Sequence, residues 1–76
     1  MKTAKKMFEE LGYDYVGIDE FGCFLTYYKK TYDIEIYFDL EDGTFQKVMR
    51  WNGLHPSIKY KELQAINKQV EELGWN

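Results

Sequence analysis

Apolar and polar residues alternate with period two through Tyr32-Asp33-Ile34-Glu35-Ile36-Tyr37-Phe38. Such alternation, built from Ile, Tyr and Phe, marks a half-buried strand. Ile34, Ile36 and Phe38 then face a core, while Asp33, Glu35 and Tyr37 face away. Shorter runs on either side predict three more strands: Tyr13–Ile18, Cys23–Tyr28 and Thr44–Trp51. Turns are expected at 19–22, at 29–32 or Lys30-Thr31 alone, and at Asp42-Gly43, a dipeptide that favours two-residue hairpins. Asn52 to Ser57 reads as a loop, punctuated by Asn52-Gly53 and Pro56.

The ends of the chain switch to helical spacing. Ala4, Met7, Phe8 and Leu11 share one face of a helix over Thr3–Leu11, with Thr3 as its N-cap. Gly12 follows as a left-handed stop, and Tyr13 is placed to pack on Phe8. Leu63, Ile66, Val70 and Leu73 mark a second helix over Tyr60–Leu73, with Ser57 a possible cap. Glu71-Glu72-Leu73-Gly74-Trp75 repeats the stop Glu9-Glu10-Leu11-Gly12-Tyr13, Val70 being the partner of Trp75. The predicted fold class is α+β: a two-layer domain spanning 1–76, with a four-stranded antiparallel meander and N- and C-terminal helices on one face, in the order α-β-β-β-β-α.

These turns set a register. It pairs Ile34 with Tyr27, Ile36 with Leu25 and Phe38 with Cys23. Ile18 then meets Cys23, Val16 meets Leu25, Met49 meets Ile36 and Trp51 meets Ile34. One face collects Val16, Ile18, Cys23, Leu25, Tyr27, Ile34, Ile36, Phe38, Phe45, Met49 and Trp51; Lys47 and Asp14 are the misfits on it. The opposite face carries Gly17, Phe24, Tyr37 and Val48 in one row, Tyr15, Thr26, Glu35 and Arg50 in the next, and Tyr13, Tyr28 and Asp33 in a third. With both helices on the core side, this second face meets solvent. Its aromatic residues and its arginine are types enriched where proteins bind proteins. The candidate partner-binding residues are therefore Tyr15, Phe24, Tyr28, Glu35, Tyr37 and Arg50. Burial of both faces, or plain cross-strand aromatic pairing, is the competing structural explanation.

Composition narrows the function classes. The chain has 76 residues and a net charge of −3, which argues against a general phosphate-backbone binder. Residues 31–45 carry Asp33, Glu35, Asp39, Glu41 and Asp42 without a base; residues 46–61 carry Lys47, Arg50, Lys59 and Lys61 without an acid. One cysteine, Cys23, excludes an internal disulfide, and one Cys with one His argues against a metal cage. Cys23 falls on the core face, where a thiol is inert, and His55 reads as a loop histidine with a local hydrogen bond. The glycines are scattered and form no phosphate loop. No catalytic residue, cofactor or metal is implied. The reading is a non-enzymatic, cytoplasmic protein, since Glu9 and Glu10 interrupt any signal-like segment and no apolar run reaches membrane-spanning length.

Two stretches also carry a resemblance. Ala4-Lys5-Lys6-Met7-Phe8-Glu9-Glu10-Leu11-Gly12-Tyr13 and the closing segment Glu62 to Trp75 resemble the first and last helices of small uncharacterised proteins of phages and prophages of Gram-positive bacteria. Tyr37-Phe38-Asp39 is similar to their central strand. In such proteins Thr is expected before the last helix, where this chain has Lys59. The resemblance implies a phage accessory role inside a bacterial host and brings no catalytic residues with it. A protein-interaction module that binds a host or phage protein is the leading expectation, with homodimerisation through the aromatic face, or pairing along an outer strand, as further options. Single-stranded nucleic-acid binding on the same face, opposed by Asp33 and Glu35, and an acidic DNA-mimicking inhibitor are the alternatives.

Overall fold

The computed structural model describes residues 1–75. Helix α1 (Ala4–Glu10) leads into strands β1 (Asp14–Ile18), β2 (Phe24–Lys29), β3 (Ile34–Asp39) and β4 (Thr44–Met49), and helix α2 (Tyr60–Leu73) follows. The strands form one antiparallel sheet in the order β1-β2-β3-β4. This is the expected α+β meander between two helices. The helices pack on each other and on one side of the sheet.

Helix ends follow the residues that mark them. Thr3 caps α1, its hydroxyl accepting from the Lys6 amide at 3.1 Å. Both helices stop by the same 6→1 bond: Tyr13 N–H donates to Phe8 O, and Trp75 N–H to Val70 O. Tyr13 then meets Phe8 edge to face, ring centroids 5.7 Å apart. The N-cap of α2 is Lys59 rather than Ser57, with Glu62 reaching back to accept from the Lys59 amide at 2.8 Å.

The central strand holds its parity. Ile34, Ile36 and Phe38 are buried, whereas Glu35 and Tyr37 are only partly so. The registers on both sides differ from expectation by two residues: Ile36 pairs with Tyr27 and Lys47, and Phe38 with Leu25 and Phe45. The reason is loop length. Lys30–Tyr32 forms a 3-10 turn closed by Asp33 in the left-handed region at φ 53°. Between β3 and β4 the loop takes four residues, 40–43, not two, because the Asp39 carboxylate accepts from the amides of Glu41 and Asp42. A slip of two leaves every side chain on its expected face.

A bulge breaks that rule in β1. Gly17 pairs with Thr26 but Tyr15 pairs with Tyr27, leaving Val16 without a partner. Gly17 sits at φ 101°, open to glycine and strained for other residues. Residues before the bulge change sides, so Asp14 pairs with Tyr28 and leaves the helical face on which its sequence parity placed it.

The core contains Phe8, Tyr13, Leu25, Tyr27, Ile34, Ile36, Phe38, Ala65 and Ile66. Phe8 stacks on Tyr27 at 3.9 Å between centroids, and Phe38 lies 6.2 Å from Trp75. Three residues assigned to the core are exposed instead: Val16 at the bulge, Ile18, and Trp51, which is 70 % exposed. Strand β4 ends at Met49, where Gly53 N–H donates to Met49 O and turns the chain away before Trp51. Leu63 is likewise exposed, because the buried stripe of α2 is Glu62, Ala65, Ile66 and Gln69.

The two polar members of that stripe are satisfied. Glu62 is 4 % and Lys47 6 % exposed. The Glu62 carboxylate accepts from Lys47 Nζ at 2.8 Å and from Tyr13 OH at 2.6 Å. Lys47 also donates to Ser57 O, and Tyr27 OH donates to Gln69 Oε1 at 2.6 Å. Burial works against the charge on Glu62, but the bonds from Lys47, Tyr13 and the Lys59 amide outweigh it and hold the carboxyl below its usual range. Burial and the neighbouring carboxylate push the Tyr13 phenol far up.

A candidate interaction face on the open side of the sheet

Neither helix covers the side of the sheet that carries Tyr37. Pairing sets Thr26, Tyr37 and Gln46 in one row, Tyr28, Glu35 and Val48 in the next, and Phe24 opposite Asp39 at one end. Phe24 and Tyr37 are diagonal neighbours and meet edge to face, with centroids 5.6 Å apart at 83°. Phe24 is 38 % exposed and Tyr37 half-buried. With Asp19, Thr26 and Glu35 they line a shallow depression of about 320 Å³.

Past β4 the pairing continues for one more residue: Arg50 N–H donates to Asp33 O at 2.9 Å. This step carries the Arg50 guanidinium over the Tyr28 ring, 5.1 Å from its centroid. Its Nε lies 3.8 Å from Glu35 Oε2. Tyr28 OH donates to the Asp33 carboxylate at 2.7 Å, a bond that raises the phenol above its ordinary value. The Arg50–Glu35 pair is long and solvated, so its contribution to stability is small. Its effect is to hold a cation over an aromatic ring at the rim of an uncovered surface.

The structure thus brings together Phe24, Tyr28, Glu35, Tyr37 and Arg50. It separates Tyr15 from them. The β1 bulge turns Tyr15 onto the helical side, where its ring lies 5.4 Å from Tyr27 and 5.0 Å from Lys5 Nζ. Tyr13, placed by sequence parity on the open face, is sealed in the core. The acidic block is divided in use: Asp33 holds Tyr28, Glu35 approaches Arg50, and Asp39 binds loop amides.

His55 and Cys23 stand apart from each other. His55 Nδ1 lies 3.0 Å from Lys47 O, a bond that ties the loop after β4 back to that strand. Cys23 is not under the helices as expected; it sits half-buried in the β1–β2 turn, its Sγ 3.6 Å from Glu41 Oε1. Partial burial and that carboxylate raise the thiol, which disfavours the nucleophilic thiolate. Among the described residues no group of three His, Cys, Asp or Glu side chains is placed to hold a metal. Among the described residues no helix is long and apolar enough to cross a membrane.

Glu62 and Gln69 are the polar residues that apolar periodicity passed over. A signal for them was present: both share a helix face with Ile66, and Lys47 stands at core parity, a position that calls for a buried acid. No family model, curated protein or solved structure matches the chain.

Proposed function

We propose that this chain is a small non-enzymatic phage accessory protein that engages a host or phage protein in the bacterial cytoplasm through the open face of its sheet. The observation that carries this reading is the concentration of Phe24, Tyr28, Tyr37 and Arg50 on the one sheet face no helix covers. Phe24 and Tyr37 serve as apolar anchors. Arg50, held over Tyr28 beside Glu35, supplies a charged contact that selects the partner. The resemblance of both helical ends to phage and prophage proteins supports the accessory role.

The test compares Arg50→Glu and the double variant Phe24→Ser/Tyr37→Ser with the wild-type chain as baits in host lysate. The expected result is one defined protein retained by the wild type and lost with each variant, while circular dichroism shows all three folded. A protein retained equally by all three baits overturns the reading. Salt-sensitive retention on single-stranded DNA that vanishes with Arg50→Glu replaces it with nucleic-acid binding.

A further inference from the structure

A second feature lies on the helical side of the sheet, where residues at the β2–β3 turn and at the start of α2 line common cavities. Lys29, Lys59 and Glu62 are shared by two cavities of about 310 Å³ each. One continues past Tyr32 to an apolar floor of Ile34, Met49 and Pro56. The Lys29 ammonium stands against two rings, 5.4 Å from the centroid of Tyr13 and 5.5 Å from that of Tyr32. The end of its stem passes close over Gly12, where an added Cβ would lie 3.4 Å from Lys29 Cε.

What this ammonium lacks is an acceptor. Among the described residues neither Lys29 nor the Lys59 side chain has an ion pair or a hydrogen bond. The acid that borders both cavities is Glu62, and it is consumed: Oε1 accepts from Lys47 Nζ and the Lys59 amide, Oε2 from Tyr13 OH. Lys47 and Glu62 cancel, so the cleft keeps the positive charge of Lys29 and Lys59 in a chain whose net charge is −3. Lys29 is a half-buried lysine set on two aromatic faces with no carboxylate beside it, which leaves its charge free to meet an anion by charge-assisted hydrogen bonds.

We propose that this cleft binds a small organic phosphate that carries a planar ring, of about mononucleotide size. Lys29 and Lys59 neutralise the two phosphate charges. The exposed Tyr32 ring and the floor of Ile34, Met49 and Pro56 take the planar body. Each cavity's volume sits at the small end of small-molecule sites, a fit to a ligand of mononucleotide size. Neither lysine belongs to the open sheet face, so this proposal stands or falls independently of the one above.

The experiment is an amide chemical-shift titration of the full chain with 5′-AMP and, separately, with inorganic phosphate, each up to about 10 mM. Saturable shifts are expected at 31–34 and 57–61, with AMP binding about tenfold tighter than phosphate because only AMP uses the ring contacts. Lys59→Gln weakens AMP binding about tenfold; Lys29→Met does the same and also removes the shift at Tyr32. Lys68→Gln, at the other end of α2, leaves binding unchanged. Lys59 is exposed, so its variant folds and keeps the test decisive if Lys29→Met does not. Shifts scattered evenly over the surface lysines, equal affinity for AMP and phosphate, or an unchanged Lys59→Gln titration each overturn the proposal.

Discussion

Glu62 accepts three hydrogen bonds in a place where a charge is otherwise costly. Removing Tyr13 OH leaves one carboxylate oxygen without its partner. Tyr13→Phe is expected to cost about 1.5–3 kcal/mol in urea unfolding, the range for a hydrogen bond to a charged group. Lys47→Met strands the carboxylate and costs about 3–5 kcal/mol. A chain of this size holds only about that much net stability, so this variant should be unfolded by circular dichroism at room temperature. The pH response follows from the same residue. The folded-state pKa of Glu62 is lowered, so its contribution is complete above the unfolded carboxylate value of about 4 and is lost as pH falls through the lower folded value. Melting temperature should therefore drop on acidification below about pH 4. A melting temperature flat across that window would show that the buried pair is not what acid attacks. Apolar spacing located Ile66 and Val70, but it cannot register a polar residue whose partner lies on a distant element. Glu62 met Lys47 only once strand and helix were in place.

At the level of elements, the alternation in β3 was sufficient to fix which side each residue takes, since a loop with two extra residues preserves parity. The loops themselves were harder to read. Asp42-Gly43 favours a two-residue turn, yet Asp39 binds two loop amides and draws the turn out to four residues. The β1 bulge left no clear signal in the chain except Gly17, whose φ of 101° only glycine tolerates easily. Gly17→Ala is expected to destabilise the fold by about 1–2 kcal/mol through that backbone angle. Its added Cβ meets nothing closer than the Tyr15 ring at 3.6 Å, so crowding is not the cause. Matched denaturant curves measure the loss. A variant as stable as wild type would mean that the strand relaxes out of the bulge, and Asp14 and Tyr15 would then exchange faces.

For the molecule as a whole, one layer of helices and one layer of sheet leave a face bare, and the expected two-layer arrangement is what leaves Tyr37 reachable. The two sides of β3 should respond differently to truncation. Phe38→Ala, in the core, is expected to cost about 3–5 kcal/mol. Tyr37→Ser on the open side loses its edge-to-face contact with Phe24, about 0.5–1.5 kcal/mol, and part of a half-buried side chain, and should cost less than Phe38→Ala. Equal losses at the two positions would show the open face to be structural. Five of the six candidate contact residues were legible as neighbours from parity alone. Tyr15 was not, because a single unpaired residue upstream of Gly17 reverses parity without changing the composition of the strand.

The Ala4 amide donates to the Glu72 carboxylate, 68 positions along the chain. Each hairpin of the sheet closes between neighbours, whereas docking α1 onto α2 requires nearly the whole polypeptide to be gathered first. A seven-residue helix has almost no independent persistence in water. Docking of the start of α1 onto α2 should thus come late in folding, and that end should fray before Phe8 leaves the core. Exchange of the α1 amides with deuterium would report the seal between the two ends, while those of β2 and β3 would report the collapse of the entire domain.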